Sequence, residues 1–323
     1  MERNWKIILF LLAIGAFLLG IMNFLPENKL RMMFLLVGSG AFAQAVANIL
    51  RKKYLDLKAN VDLVVVSTMF GISAFALPAQ FLLEELPKIP GEFWTPFILT
   101  VLFNVGIMYW LIKAMSLEDV SVVSALQGIT PMFVILTSWI ILKEFPTIYG
   151  LVGILVIVLG TYILNLKGPD SGSSGLHRLI QPWRRIFSSP GARLALLTAF
   201  LGSIALNFDK LAVIYSTPML LTGIKFLAVG IIIYLISKLS GRWQKMDRRL
   251  FWPLFGVGLI LGSSEVLMNT GFLYGIVPYV GSLKRMQIVW TAMLAGIFLG
   301  EKYSRVRITA AVIIVIGITL IAL

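Results

Sequence analysis

The chain has 323 residues, 59% of them hydrophobic and only 13% charged, with a mean hydropathy of +0.92. Soluble domains run about 45–50% apolar and about 25% charged, so this composition excludes a soluble surface and points to an all-α polytopic membrane protein. The formal net charge of +13 lies in short loops, which suits topology signals and anionic lipid headgroups rather than nucleic acid. Cysteine is absent and the single histidine, His177, falls in a loop. Disulfides, thiolate chemistry, cysteine metal sites and a histidine relay inside the membrane are therefore excluded.

A spanning helix needs about 20 predominantly apolar residues. Eleven segments qualify: 6–25, 32–54, 61–83, 93–114, 120–142, 147–166, 192–214, 217–238, 251–273, 278–300 and 304–323. The first has a basic start (Arg3, Lys6), but Met22-Asn-Phe-Leu-Pro lacks the small residues of a cleavage site. We read it as a retained extra helix rather than a signal peptide.

Lysine and arginine placement gives the topology. Arg51, Lys52, Lys53 and Lys58 follow segment 32–54, and Lys167, Arg178, Arg184 and Arg185 follow 147–166. Lys238, Arg242, Lys245, Arg248 and Arg249 follow 217–238, and Lys302, Arg305 and Arg307 follow 278–300. All four loops fall on one side; the other has little beyond Lys29, Arg31, Lys88 and Lys143. The positive-inside rule makes the rich side cytoplasmic, with the N-terminus inside and the C-terminus outside.

The longest loop, 167–191, opens with Gly-Pro-Asp-Ser-Gly-Ser-Ser-Gly, a flexible linker composition. Leu176, Leu179, Ile180, Trp183 and Phe187 then share one helical face, with Arg178, Arg184 and Arg185 elsewhere. This is the pattern of a basic amphipathic helix on a leaflet surface; a plain basic linker is the alternative. The loop separates two five-helix halves, 32–166 and 192–323, with 1–31 as the extra N-terminal helix.

The halves repeat. An offset of 157 residues aligns Glu144 with Glu301, Val123 with Val280, Leu126 with Leu283, Ile157 with Ile314, Val158 with Val315 and Gly160 with Gly317. In each half a long helix ends in a short charged turn (Lys143-Glu144, Glu301-Lys302) and a glycine-bearing last helix follows. Five is odd, so the halves insert in opposite orientations, as in alternating-access carriers with a site between the repeats.

Charge sits at membrane depth in the second half. Asp209 and Lys210 lie in the outer half of 192–214, and Lys225 lies about two turns from the outer end of 217–238. Glu265 lies beyond the middle of 251–273; Lys284 and Arg285 stand side by side between the outer end and the middle of 278–300. At ~1.5 Å per residue these depths agree within a turn. Four cations and two anions give this layer a net charge of +2. Burying one charge in hydrocarbon costs at least ~2.5 kcal/mol, so such residues face a cavity or each other. Arginine offers a planar fork to phosphate or carboxylate, and lysine adds a point charge. Asp209 and Glu265 would tune these cations; a raised pKa would let Glu265 couple protons. A purely structural ion-pair network and snorkelling of the long stems are the competing readings.

The first half supplies neutral groups: Gln44 and Asn48 on one face of 32–54, Asn104 and Tyr109 on 93–114, and Ser124, Gln127 and Thr130 along 120–142. They orient the uncharged part of a solute or bind helix to helix. The set expected to touch substrate is Lys284, Arg285, Lys225, Lys210, Gln127, Asn48, Asn104 and Ser124. Glu144 and Glu301 read as caps or turn salt bridges. No phosphate-binding loop, metal-ligand cluster or serine–histidine pair occurs, so no enzyme activity, cofactor or metal is expected.

The ten-helix inverted repeat and its two ends, Trp139-Ile-Ile-Leu-Lys-Glu-Phe-Pro and Ala295-Gly-Ile-Phe-Leu-Gly-Glu-Lys-Tyr, resemble the EamA-type domain of the drug/metabolite transporter superfamily over about residues 32–323. Within it, plastid phosphate translocators carry a ninth-helix Lys-Arg pair that binds substrate phosphate, and Lys284-Arg285 occupies the similar place. Their fourth-helix lysine has no counterpart here, where Ser124, Gln127 and Thr130 stand. The expectation is a secondary carrier of a prokaryotic inner membrane for a small organic anion, phosphorylated or not. The alternatives are a flippase for a lipid-linked sugar phosphate, an exporter of amino acids or drugs, and a non-transporting membrane scaffold.

Overall fold

The computed structural model describes residues 28–55, 61–165, 175–243, 248–298 and 305–323. The extra helix expected over 6–25, and the Glu301-Lys302 turn, lie outside the described residues. Hydrocarbon offers backbone groups no partner, so spanning segments close their hydrogen bonds internally as helices. Eight helical spans among the described residues are long and apolar enough to cross a membrane, and none of the described residues forms a strand. The protein is a multi-pass membrane protein.

The first half comprises α1 (Asn28–Leu55), α2 (Val61–Leu83), α3 (Trp94–Leu117), the pair α4 (Val120–Gln127) and α5 (Thr130–Leu142), and α6 (Ile148–Asn165). A connecting helix, α7 (Gly175–Ser188), leaves Ile180, Trp183 and Phe187 uncovered, Phe187 at 90% exposure. Its Trp183 hydrogen-bonds Tyr162 near the end of α6. The second half comprises α8 (Pro190–Ile214), α9 (Pro218–Leu239), α10 (Arg248–Thr270), the pair α11 (Val277–Leu283) and α12 (Met286–Phe298), and α13 (Arg305–Ala322). Helices α8 and α9 start on proline, whose missing N–H costs nothing there. Ser189 and Thr217 cap them by accepting the N–H of Ala192 and Leu220, at 3.5 and 3.1 Å.

Helix packing repeats across the halves. Helix α1 packs on α10 and α12; its counterpart α8 packs on α3 and on α4–α5. Helix α2 lies against α10, and its counterpart α9 against α3. The closing helices α6 and α13 pair with each other. Their contact is self-complementary: a methyl at Gly160 would stand 2.7 Å from Ile314 Cγ1, and one at the equivalent Gly317 would stand 2.7 Å from Ile157 Cγ1. Reciprocity of this kind is the signature of a two-fold axis, here relating two halves of one chain.

Segments 120–142 and 278–300, read from sequence as continuous helices, are each interrupted. At 128–129 the chain tightens: the Ile129 N–H donates to the Leu126 carbonyl at 3.2 Å and the Met132 N–H to that of Ile129 at 2.9 Å. Pro131 explains this, since it has no N–H for the Gln127 carbonyl and its ring crowds that group. At 284–285 the turn is alike: Arg285 N–H to Ser282, Gln287 N–H to Lys284 and Ile288 N–H to Arg285, at 3.0, 3.3 and 3.0 Å. Under the 157-residue offset Gln127 falls on Lys284 and Gly128 on Arg285, so the interruptions are equivalent. Ile288 stands where the first half has Pro131, and no local residue explains the second turn.

Candidate functional site

The second-half interruption places Lys284 and Arg285 on a turn between α11 and α12. Leu283 and Met286 on either side are buried in the main apolar core, while both cations are partly buried. Lys284 Nζ lies 5.3 Å above the ring centroid of Phe272, itself 1% exposed, a cation–π contact that helps hold a desolvated ammonium. Glu265, Asp209, Lys225 and Arg285 all lie within electrostatic reach of Lys284. The cation therefore points into the helix bundle rather than snorkelling outward. Among the described residues neither Lys284 nor Arg285 forms a salt bridge, and Arg285 Nε is buried without a hydrogen-bond partner.

The neighbouring charges are matched. Lys225 on α9 donates to Asp209 Oδ1 at 3.0 Å; the two residues are 2% and 5% exposed. Thr100 Oγ1 donates to the same oxygen at 2.7 Å, and Asn104 Nδ2 donates to the Thr100 carbonyl at 2.8 Å. This chain ties α3 to α8 and α9, and it engages both Asn104 and Lys225 internally. A buried pair with a further hydrogen bond on its carboxylate is costly to break by removing one partner.

Lys210 turns elsewhere. Consecutive helical residues point about 100° apart, and Lys210 pairs with Glu144 Oε1 beyond the end of α5, donating also to the Gly275 carbonyl at 2.9 Å. The other Glu144 oxygen accepts the Val277 N–H at 2.9 Å, so Glu144 caps α11 and binds the halves together. The six charges placed in one layer by sequence thus divide: Lys210 joins Glu144, Asp209 joins Lys225, and Glu265, Lys284 and Arg285 remain as a group. Glu265 is partly buried on α10.

The neutral residues divide too. Gln127 Nε2 donates to the Ala195 carbonyl and to Thr198 Oγ1, both at 2.6 Å, fastening the first-half turn to α8. Ser124 lies partly buried, its carbonyl accepting the Gly128 N–H at 3.0 Å. Asn48 is partly buried on α1, one turn from Gln44, whose Oε1 accepts from Ser264 Oγ at 3.1 Å. The structure brings no side chain of α4 into contact with Lys284 among the contacts described. Sequence reasoning missed Thr100, although it stands four residues from Asn104 on one helical face. It also missed Phe272 and the Ser138–Asn207–Thr137 cluster that joins α5 to α8 at 2.7 and 3.0 Å. Among the described residues no cluster of His, Cys, Asp and Glu could hold a metal.

Two oppositely inserted halves, each with an interrupted fourth helix, define an inverted-repeat polytopic helical fold of the transporter class. The model of the EamA-like transporter family matches residues 30–166 and again 189–323, and the chain belongs to that family. A solved structure titled only "Crystal structure of protein" superposes with a TM-score of 0.71 at 17% identity, covering 88% of this chain and 94% of that one; at that identity the likeness is one of fold. No curated protein matches in sequence. Members of the family are transporters, of the drug/metabolite type.

Proposed function

We propose that this chain is a secondary carrier of a prokaryotic inner membrane that moves a small organic anion by alternating access of its two halves. Lys284 and Arg285 hold the anionic group. The observation that carries this reading is the contrast in pairing: Asp209–Lys225 and Lys210–Glu144 are closed pairs, while the two cations on the α11–α12 turn have no salt bridge among the described residues. An interrupted helix in each repeat is where such carriers expose backbone and charge to a solute. Glu265, within electrostatic reach of Lys284, moderates the site and leaves it a formal +1. Phosphate and carboxylate both suit an adjacent Lys and Arg. The basic end of the bundle, near Arg242 and Arg248, faces the cytoplasm.

A thermal-shift screen of metabolites on the purified carrier tests this. Anionic solutes raise the midpoint for the wild type, and Lys284→Ala and Arg285→Ala each abolish most of that rise. Anionic hits that survive both changes at full strength would place the site elsewhere.

A further inference from the structure

The bundle carries a cavity, lined by none of the Lys284, Arg285 and Glu265 group, between α2, α3 and α9 at the basic end. It has a volume of about 230 Å3, below the roughly 300 Å3 at which pockets for drug-sized solutes begin. Its walls are apolar: Val65, Val105, Met108, Ile112, Ile233 and Ile236. The α3 wall residues run from Val105 to Ser116 at three- and four-residue steps, a stripe along one helical face. At ~1.5 Å per residue that stripe is about 16 Å long, half of a hydrocarbon core of about 30 Å. The cleft is therefore one leaflet deep.

Its mouth is polar and cationic. Lys113 and Arg242 stand there with a single carboxylate, Asp62. Asp62 already accepts from Ser237 Oγ at 2.6 Å and lies 3.9 Å from Arg242 Nε. Arg242 lies 5.9 Å from the ring centroid of Tyr109, which also lines the cleft, and donates to Ser240 Oγ at 3.0 Å. Lys113 is exposed and makes no ion pair among the described residues. The α3 wall is poorly covered by protein: only 17% of an 18-residue stretch of the span 91–117 is buried, the lowest share of the eight spans.

An apolar shaft continued by a cationic mouth, the two together one leaflet deep and opening beside a lipid-facing helix, has the shape and charge of one molecule. We infer that this cleft holds a resident anionic phospholipid, one acyl chain along α3 and its phosphate between Lys113 and Arg242. A free phosphate would leave the apolar walls unused, and a zwitterionic lipid, with no net charge, would not balance the rim's net +1, two cations against Asp62. The same two helices carry Thr100, Asn104 and Lys225 further along. The bound lipid thus braces the α3–α9 contact that supports the Asp209–Lys225 pair. This holds whichever solute is carried.

Native mass spectrometry of the full chain in mild detergent, titrated with phosphatidylglycerol or phosphatidylcholine, tests the inference. The wild type retains one phosphatidylglycerol in preference to phosphatidylcholine. Lys113→Gln and Arg242→Gln each weaken retention about fivefold, the worth of one basic residue near an anionic lipid. Ile233→Trp, which fills the shaft, removes retention of both lipids. Soluble glycerol phosphate at millimolar concentration does not displace the lipid. Equal retention of the two lipids by the wild type overturns the inference, and that comparison needs no variant. Unchanged retention in the Lys113→Gln/Arg242→Gln double variant, or displacement by glycerol phosphate, also overturns it. The readout is lipid mass, so failure here leaves the solute-site reading untouched, and the converse holds.

Discussion

The two interrupted helices have nearly the same backbone and opposite chemistry. In the first half the turn carries Gln127 and Gly128, and Gln127 is consumed by two hydrogen bonds to α8. In the second half the equivalent positions carry Lys284 and Arg285, which no salt bridge closes among the described residues. Equivalent places in a duplicated fold need not share a job. One turn is fastened to the scaffold, and its counterpart is left charged. Gly160 and Gly317, by contrast, remain identical because each must admit an isoleucine of the other half.

The sharpest way to break the comparison is to disturb the closed charges beside the unclosed ones. Asp209→Asn leaves the buried Lys225 ammonium without its counter-ion, a change worth about 3–5 kcal/mol. Thermal and denaturant unfolding in detergent should show the loss with or without solute present. A small loss there would mean that the pair is not a scaffold element.

Lys284→Gln and Arg285→Gln should act differently. Each removes a charge-assisted contact worth about 1.5–3 kcal/mol, so solute affinity falls roughly 10- to 150-fold while stability without solute holds or rises. A loss of intrinsic stability as large as that of Asp209→Asn would make the cations structural.

Gln127→Leu removes inter-helix hydrogen bonds only. Such bonds in membranes average about 0.6 kcal/mol and reach about 1.7, so unfolding should shift modestly and solute affinity hardly at all. A drop in affinity matching that of Lys284→Gln would erase the proposed division of labour. Smallest of all should be Pro131→Ala. It restores an N–H that the Gln127 carbonyl can accept, and hydrogen exchange at 128–132 should slow without loss of binding.

Much of the fold was legible in the sequence because bilayer thickness imposes a length on every span. Segment 61–83, for example, coincides with α2. Inversion of the halves followed from an odd helix number per repeat. Pro131 is a helix breaker, yet apolar continuity over 120–142 concealed its effect. The turn at 284–285 had no proline to announce it. Charge depth brought Asp209, Lys225, Lys284 and Glu265 to one level, since depth follows from position along a helix. Pairing did not follow, because it depends on rotation and on partners distant in sequence: Lys210 meets Glu144 across 66 residues, and Asp209 meets Thr100 across 109. The lateral cleft was equally hidden, since its walls come from three helices whose neighbourhood only packing defines.

Counterflow exchange in proteoliposomes tests the division between the two turns most directly. Vesicles carrying wild type, Lys284→Gln/Arg285→Gln or Gln127→Leu would be loaded with an anionic solute identified by thermal shift. Wild type and Gln127→Leu should exchange labelled solute at similar rates, and the double variant should exchange none above empty vesicles. Exchange by the double variant at the wild-type rate would contradict the account.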